Sequence, residues 1–185
     1  MAENDIRVWN SPRGGHAKVG HFRVNASETF WRGEPVALNA DGELTESADD
    51  CVNDDLLGIA LENGNLTSGR DWKTDTTKVT GATIPVALAD HLTLFITSNF
   101  GASSESFGST PALADIGDEV GLELCTNVWG VNQGATYNSC RIMDVLDANF
   151  ESLQINTGGT GVYVVFSIVG HQNVPDTGVV VAPAA

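Results

Sequence analysis

The 185-residue sequence holds only three cysteines, Cys51, Cys125 and Cys140, and none belongs to a CxxC pair. An odd number at wide spacing excludes a disulfide framework and a thiolate zinc knuckle. Cys140 falls in an expected strand and reads as a small buried hydrophobe. No apolar run approaches the roughly 20 residues of a membrane-crossing helix, and the start, MAENDIRVWN, lacks the apolar core of a secretory signal. The expectation is a chain made and folded in a reducing cytoplasm, with no membrane partner. The Asn-x-Ser/Thr sequons at Asn25 and Asn65 then carry no glycan.

Basic residues are also scarce. Nine Lys and Arg stand against 24 acids, for a net charge of −15 and a pI near 4.3, so the surface repels phosphate backbones and no nucleic-acid partner is expected. The bases are unevenly spread. Arg7, Arg13, Lys18, Arg23 and Arg32 all precede residue 33, where the only acids are Glu3, Asp5 and Glu28. That asymmetry fits either an ordinary solvated arm or an N-terminal arm that docks on an acidic surface, a neighbouring copy included.

Catalytic signatures are missing as well. There is no GxSxG elbow, Walker loop, HExxH or GxGxxG after a strand. GGTG, at 158 to 161, precedes a strand instead of opening a helix, which makes it a turn and not a phosphate cradle. His16 and His21 are five apart, and His91 and His171 stand alone, so no metal site is read from them. Asp49, Asp50, Asp54 and Asp55 lack the spacing and glycine of a calcium loop and read as a solvated acidic turn. A carboxylate pair for glycoside hydrolysis is made by a fold and not by local spacing, but aromatics form only 7% of the chain, few for sugar platforms. The reading is a non-enzyme without cofactor.

What the sequence does contain is strands. The 42% hydrophobic and 18% charged content supports a folded domain. Residues 161 to 169, GVYVVFSIV, alternate Val162, Val164, Phe166 and Ile168 against Tyr163, Val165, Ser167 and Val169, so both faces are apolar and the strand lies deep. Residues 83 to 97 read as two strands joined by a turn at Ala-Asp-His. Further strands are expected at 19 to 24, 35 to 39, 43 to 46, 56 to 61, 119 to 125, 136 to 146 and 150 to 155. In 119 to 125, Val120, Leu122 and Leu124 should face inward, with Glu119 and Glu123 outward. Asn39-Ala40-Asp41-Gly42 can close a hairpin because it supplies a residue that tolerates positive φ. Helix is limited to one or two turns after Thr110-Pro111, stopped by Gly117.

Short strands about ten residues apart imply an all-β fold: an antiparallel β-sandwich or jelly-roll-like barrel with long loops and an extended N-terminal arm. The divisions are residues 1–18 for the arm, 19–173 for one β domain, and 174–185 for a flexible or strand-donating tail. The connections 62 to 78 and 98 to 118 are long and polar, a length associated with function or mobility. Trp72, Phe100 and Phe107 lie in them, either offered to a partner or folded back over the ends of the barrel.

RGEPVALNADGELTESADDCVNDDLLGIALENG, and later ADIGDEVGLELCTNVWGVNQGATYNSCRIMDVLD, resemble segments of tailed-phage capsid decoration proteins, the head cement proteins. The shared features are a Gly-x-Pro-Val start to a strand, an Asp-Gly turn, Asp-x-x-Gly-Ile-Ala, then Gly-Asp-x-Val-Gly-Leu, a Trp-Gly hairpin and an Arg-Ile strand ending in Asp. The resemblance implies a structural virion protein, made in the host cytoplasm, that sits on the outer capsid surface as a dimer or trimer and bridges major capsid protein subunits after expansion. Aromatic and arginine side chains dominate interface energetics. The residues expected to meet the capsid or a sister subunit are therefore Arg7, Trp9 and Arg13 in the arm, then Trp31, Arg32, Trp72, Phe100 and Phe107, with Trp129 either core or interface. The alternative is a carbohydrate-binding or adhesin-type module of a tail or surface fibre, which exposed aromatics clustered on one sheet face would favour.

Overall fold

The computed structural model describes residues 6–9, 17–25, 28, 30–49, 56–62, 64, 83–90, 92–103, 106–126, 128–155 and 158–169. Among the described residues twelve strands follow one another: β1 Arg7–Val8, β2 Val19–Arg23, β3 Pro35–Leu38, β4 Leu44–Glu46, β5 Gly58–Ala60, β6 Thr83–Leu88, β7 Leu94–Thr97, β8 Phe100–Gly101, β9 Glu119–Cys125, β10 Val128–Asn132, β11 Cys140–Leu146 and β12 Tyr163–Ile168. The one helical element among the described residues is a 3₁₀ turn, Leu113–Asp115, where the Thr-Pro signal places it. The protein is thus all-β, in two sheets.

The smaller sheet has the order β2-β6-β5-β3-β4 and is antiparallel throughout. β3 and β4 form the expected hairpin. Gly42 takes φ +74°, and the Asn39 carboxamide oxygen accepts from the N–H groups of Asp41 and Glu43 at 3.0 and 2.9 Å. The two edge strands meet at one end. Val24 and Leu44 form a single parallel bridge, Asn25 N–H donates to the Leu44 carbonyl at 3.0 Å, and Arg23 pairs with Glu43 at 3.2 Å. Inside this curl lies an apolar cluster of Phe22, Phe30, Val36, Leu44, Ile84 and Val86 with their neighbours.

The larger sheet runs β1-β7-β12-β11-β9-β10-β8, and only β10 and β8 are parallel. Its shape follows from chain length. β7 ends at Thr97 and β8 begins at Phe100; three residue steps reach at most about 11 Å. Five strand spacings of about 4.8 Å would separate the two strands by roughly 24 Å in a flat sheet. The sheet therefore rolls round until β8 meets the end of β7. The ladder breaks at Ser98 and Asn99, where the chain leaves β12 for β10: Asn99 Nδ2 donates to the Trp129 carbonyl at 3.0 Å, and Val131 N–H donates to the Asn99 carbonyl at 3.0 Å.

The largest apolar cluster takes side chains from both sheets: Leu56, Ile59, Ala87 and Ala89 from the smaller one, Phe95, Leu122, Trp129, Ile142, Val164 and Phe166 from the larger. Cys140 is fully buried within it, as expected.

The two strands at 83 to 97 exist and are joined by a turn, as expected; that turn carries the chain from one sheet to the other. Asp90 builds that turn by accepting from Leu92 and Thr93 N–H groups at 2.8 and 2.5 Å. The stretch 150 to 155 is no strand; it holds one bridge, Leu146 to Ser152, and then turns. Val128–Asn132 is a strand, and β8 lies inside the expected 98–118 loop. Glu123 is buried at 5% exposure, because its carboxylate receives a hydrogen bond from Asn132 Nδ2 and the same amide donates to the Ser103 carbonyl at 2.7 Å. Within the segment expected as an arm, Arg7–Val8 joins the sheet as β1 and Ile6 lies in the core. The tail 174–185 lies outside the described residues.

Candidate functional site: an aromatic face on the larger sheet

Register decides which side chains share the outer face of the larger sheet. Arg7 is opposite Ile96, Ile96 opposite Val165, and Val165 opposite Asp144. One step along, Leu94 is opposite Ser167, Ser167 opposite Arg141, and Arg141 opposite Glu119. Trp9 continues β1 past its end, its N–H donating to the Leu94 carbonyl at 2.8 Å. Tyr163 is opposite Leu146. Strand alternation puts Phe95, Phe166 and Val164 on the other side, in the main core.

Ile96, Leu146 and Val165 form a separate small cluster on this outer face, joined by Leu94 and Tyr163. Three rings stand over it as a stack. Trp9 and Phe150 have centroids 5.7 Å apart with planes 20° apart, and Phe150 and Tyr163 are 4.6 Å apart at 15°. Trp9 remains 40% and Phe150 46% exposed, so the stack is open to solvent. Arg7, Val8, Ile96 and Thr97 join the rings in lining a cleft of about 310 Å³. Arg141, further along the face, pairs with Glu119 at 2.6 Å, both half-exposed.

Phe150 reaches this position from a turn after β11. Asp147 Oδ1 accepts from Asn149 and Glu151 N–H groups at 2.8 and 3.0 Å, Asp147 N–H donates to the Glu151 carbonyl at 2.9 Å, and Phe150 takes φ +64°. Asp144, the acid nearest the apolar patch by register, receives the Ser152 hydroxyl at 2.7 Å.

Of the residues singled out from sequence, the structure brings Arg7 and Trp9 together here. Trp31 and Arg32 stand in the turn before β3, in the smaller sheet; Trp31 N–H donates to Glu34 Oε2 at 2.7 Å. Phe100 is a core side chain at 2% exposure and not a surface ring, because β8 fills the end of the rolled sheet. Phe107 is half-buried against Gly130, where a Cβ would come within 2.8 Å of its ring. Trp129 is fully buried. Arg13 and Trp72 lie outside the described residues. Sequence reading did not select Phe150 or Tyr163. In the sequence Tyr163 is legible only as a ring on one of the two apolar faces of the last strand; Phe150 gives no signal, since its role depends on a turn conformation and on two rings distant in sequence.

A second group of acids lies at the joint of the sheets. Glu28 Oε2 accepts from Glu46 N–H at 3.3 Å, and Asp49 Oδ1 accepts from Leu124 N–H at 2.7 Å, tying the end of β4 to β9. Burial, then the charge of Glu28, push the Glu46 carboxyl above the usual carboxylate range, and the nearby indole N–H of Trp129 opposes the shift. Among the described residues no three His, Cys, Asp or Glu side chains converge as a metal site would require. The aromatic face offers rings, aliphatic surface and guanidinium, the groups that carry protein–protein contact energy. The chain matches no protein-family model and no curated protein.

Proposed function

We propose that this chain is a structural virion protein that attaches to the outer surface of an icosahedral phage capsid and bridges major capsid protein subunits of the expanded shell. The observation that carries the reading is the Arg7–Trp9–Phe150–Tyr163 face, a solvent-open aromatic patch beside a guanidinium on a chain of net charge −15. On so acidic a molecule, the +2 N-terminal segment that supplies Arg7 and Trp9 is the part that favours an acidic or apolar docking surface. The resemblance of residues 29–61 and 112–147 to head cement proteins supports the same assignment. The two sheets and their shared apolar cluster suit a sandwich of jelly-roll type, a fold that resists unfolding on an exposed surface. Binding the mature shell alone would stabilise it by mass action, by about 2.7 kcal/mol per site at a hundredfold excess over Kd.

The clustered rings also favour a carbohydrate-binding or adhesin module. Against that, Phe150 stacks with both Trp9 and Tyr163, which leaves less of its ring for a sugar to cover. Quantitative mass spectrometry of virions encoded by the same genome, scaled to the major capsid protein, tests the proposal. Near-stoichiometric copy number supports shell decoration. A handful of copies moves the chain to the tail or fibres, and absence from the particle overturns the virion role.

A further inference from the structure

We infer that Phe150 is a positioning residue: its ring holds the N-terminal segment on the sheet and orients Trp9 for contact. The partner in that contact rests on the capsid-binding reading above; the positioning itself does not.

β1 is a two-residue strand at a sheet edge. Its ladder and the Trp9 to Leu94 bond are a short run of backbone pairing, and a strand so short at an edge frays readily. Ile6 anchors one end in the core. At the other end Trp9 has the Phe150 ring against its face.

Phe150 adopts φ +64°, the left-handed region that glycine or asparagine occupies with less strain. The Asp147 turn enforces that conformation through its side-chain and backbone bonds to Asn149, Phe150 and Glu151. A turn that needed only its own geometry would be better served by glycine. What the phenylalanine adds is a ring between Trp9 and Tyr163, and at 46% exposure its placement is not core filling. Local strain is thus retained at the point where two distant segments meet, a pattern associated with function.

The test uses the full chain with Phe150→Gly and Phe150→Tyr. Glycine accepts the turn's φ, so the first variant removes the ring while sparing the backbone; the second keeps a stacking ring. Three readouts are taken: urea midpoint, amide hydrogen exchange of residues 6–9, and cosedimentation with expanded shells. The expected result for Phe150→Gly is an unchanged midpoint, exchange at 6–9 faster by about tenfold or more, and shell affinity lower by a similar factor; Phe150→Tyr restores both. Unchanged exchange in Phe150→Gly, failure of the tyrosine variant to restore it, or a general loss of stability would each overturn the inference. Faster exchange with undiminished shell binding would overturn Trp9 orientation as its purpose. If the unmodified chain binds no shell, the capsid reading fails, and exchange at 6–9 still decides the role of Phe150.

Discussion

Asp49 and Leu124 join the two sheets: the carboxylate that follows β4 accepts the β9 N–H of Leu124 at 2.7 Å. The bond is exposed, yet it links segments far apart in sequence at a place that the β9–β11 ladder, confined to Glu119 and Val120, does not reach. Asp49→Ala should lower stability by about 1 kcal/mol, within the range for a charge-assisted bond partly replaced by water. Asp49→Asn, which keeps an acceptor oxygen, should lose less. Urea denaturation of the two variants side by side measures the difference.

Glu46 makes stability depend on pH in an identifiable direction. Its folded carboxyl is raised above the ordinary value of 4.5, so the folded state binds the proton more tightly than the unfolded state. The destabilisation is absent below the unfolded value and grows as pH rises through the folded one. Glu46→Gln removes it. The stability difference between variant and parent should therefore shift in the variant's favour between about pH 4 and about pH 7, by a small amount because the group is partly solvated. Thermal melts across that range check the sign, and a shift in the parent's favour would contradict it.

Phe100 and Phe107 occupy the same stretch of sequence and should behave differently. Phe100 fills the end of the rolled sheet, and Phe100→Ala should cost about 3–5 kcal/mol, enough to unfold much of a marginal domain. Phe107→Ala removes a half-buried ring lying over Gly130 and should cost roughly 1–2 kcal/mol. Equal costs from chemical denaturation would refute this assignment of core and surface.

The glycines of GGTG separate in the same manner. A Cβ on Gly161 would stand 1.9 Å from the Pro111 carbonyl oxygen, whereas one on Gly158 meets nothing within 4 Å. Gly161→Ala should cost roughly 1–3 kcal/mol as the backbone shifts, and Gly158→Ala should stay within about 0.5 kcal/mol of the parent. The motif's glycine requirement thus reflects close chain approach ahead of β12 and needs no bound phosphate.

By itself the sequence determined what depends on neighbours along the chain. Alternation marked β6, β9 and β12, and Asn39 to Gly42 specified a hairpin because only a few residue types accept its dihedrals. The proline-led turn before Gly117 and the burial of Cys140 were legible for the same local reasons. The outward assignment of Glu123 was not, since its burial comes from Asn132 and from a loop that crosses the far side of the sheet. Nor was the rolling of the larger sheet, which follows from which strands pair and how short the link between Thr97 and Phe100 is. The aromatic face belongs wholly to tertiary structure. Trp9, Phe150 and Tyr163 come from an edge strand, a turn and a central strand, and their proximity is set by ladder register and by one left-handed residue. Periodicity reports which way a side chain points from its own strand; only the pairing of strands decides what it then touches.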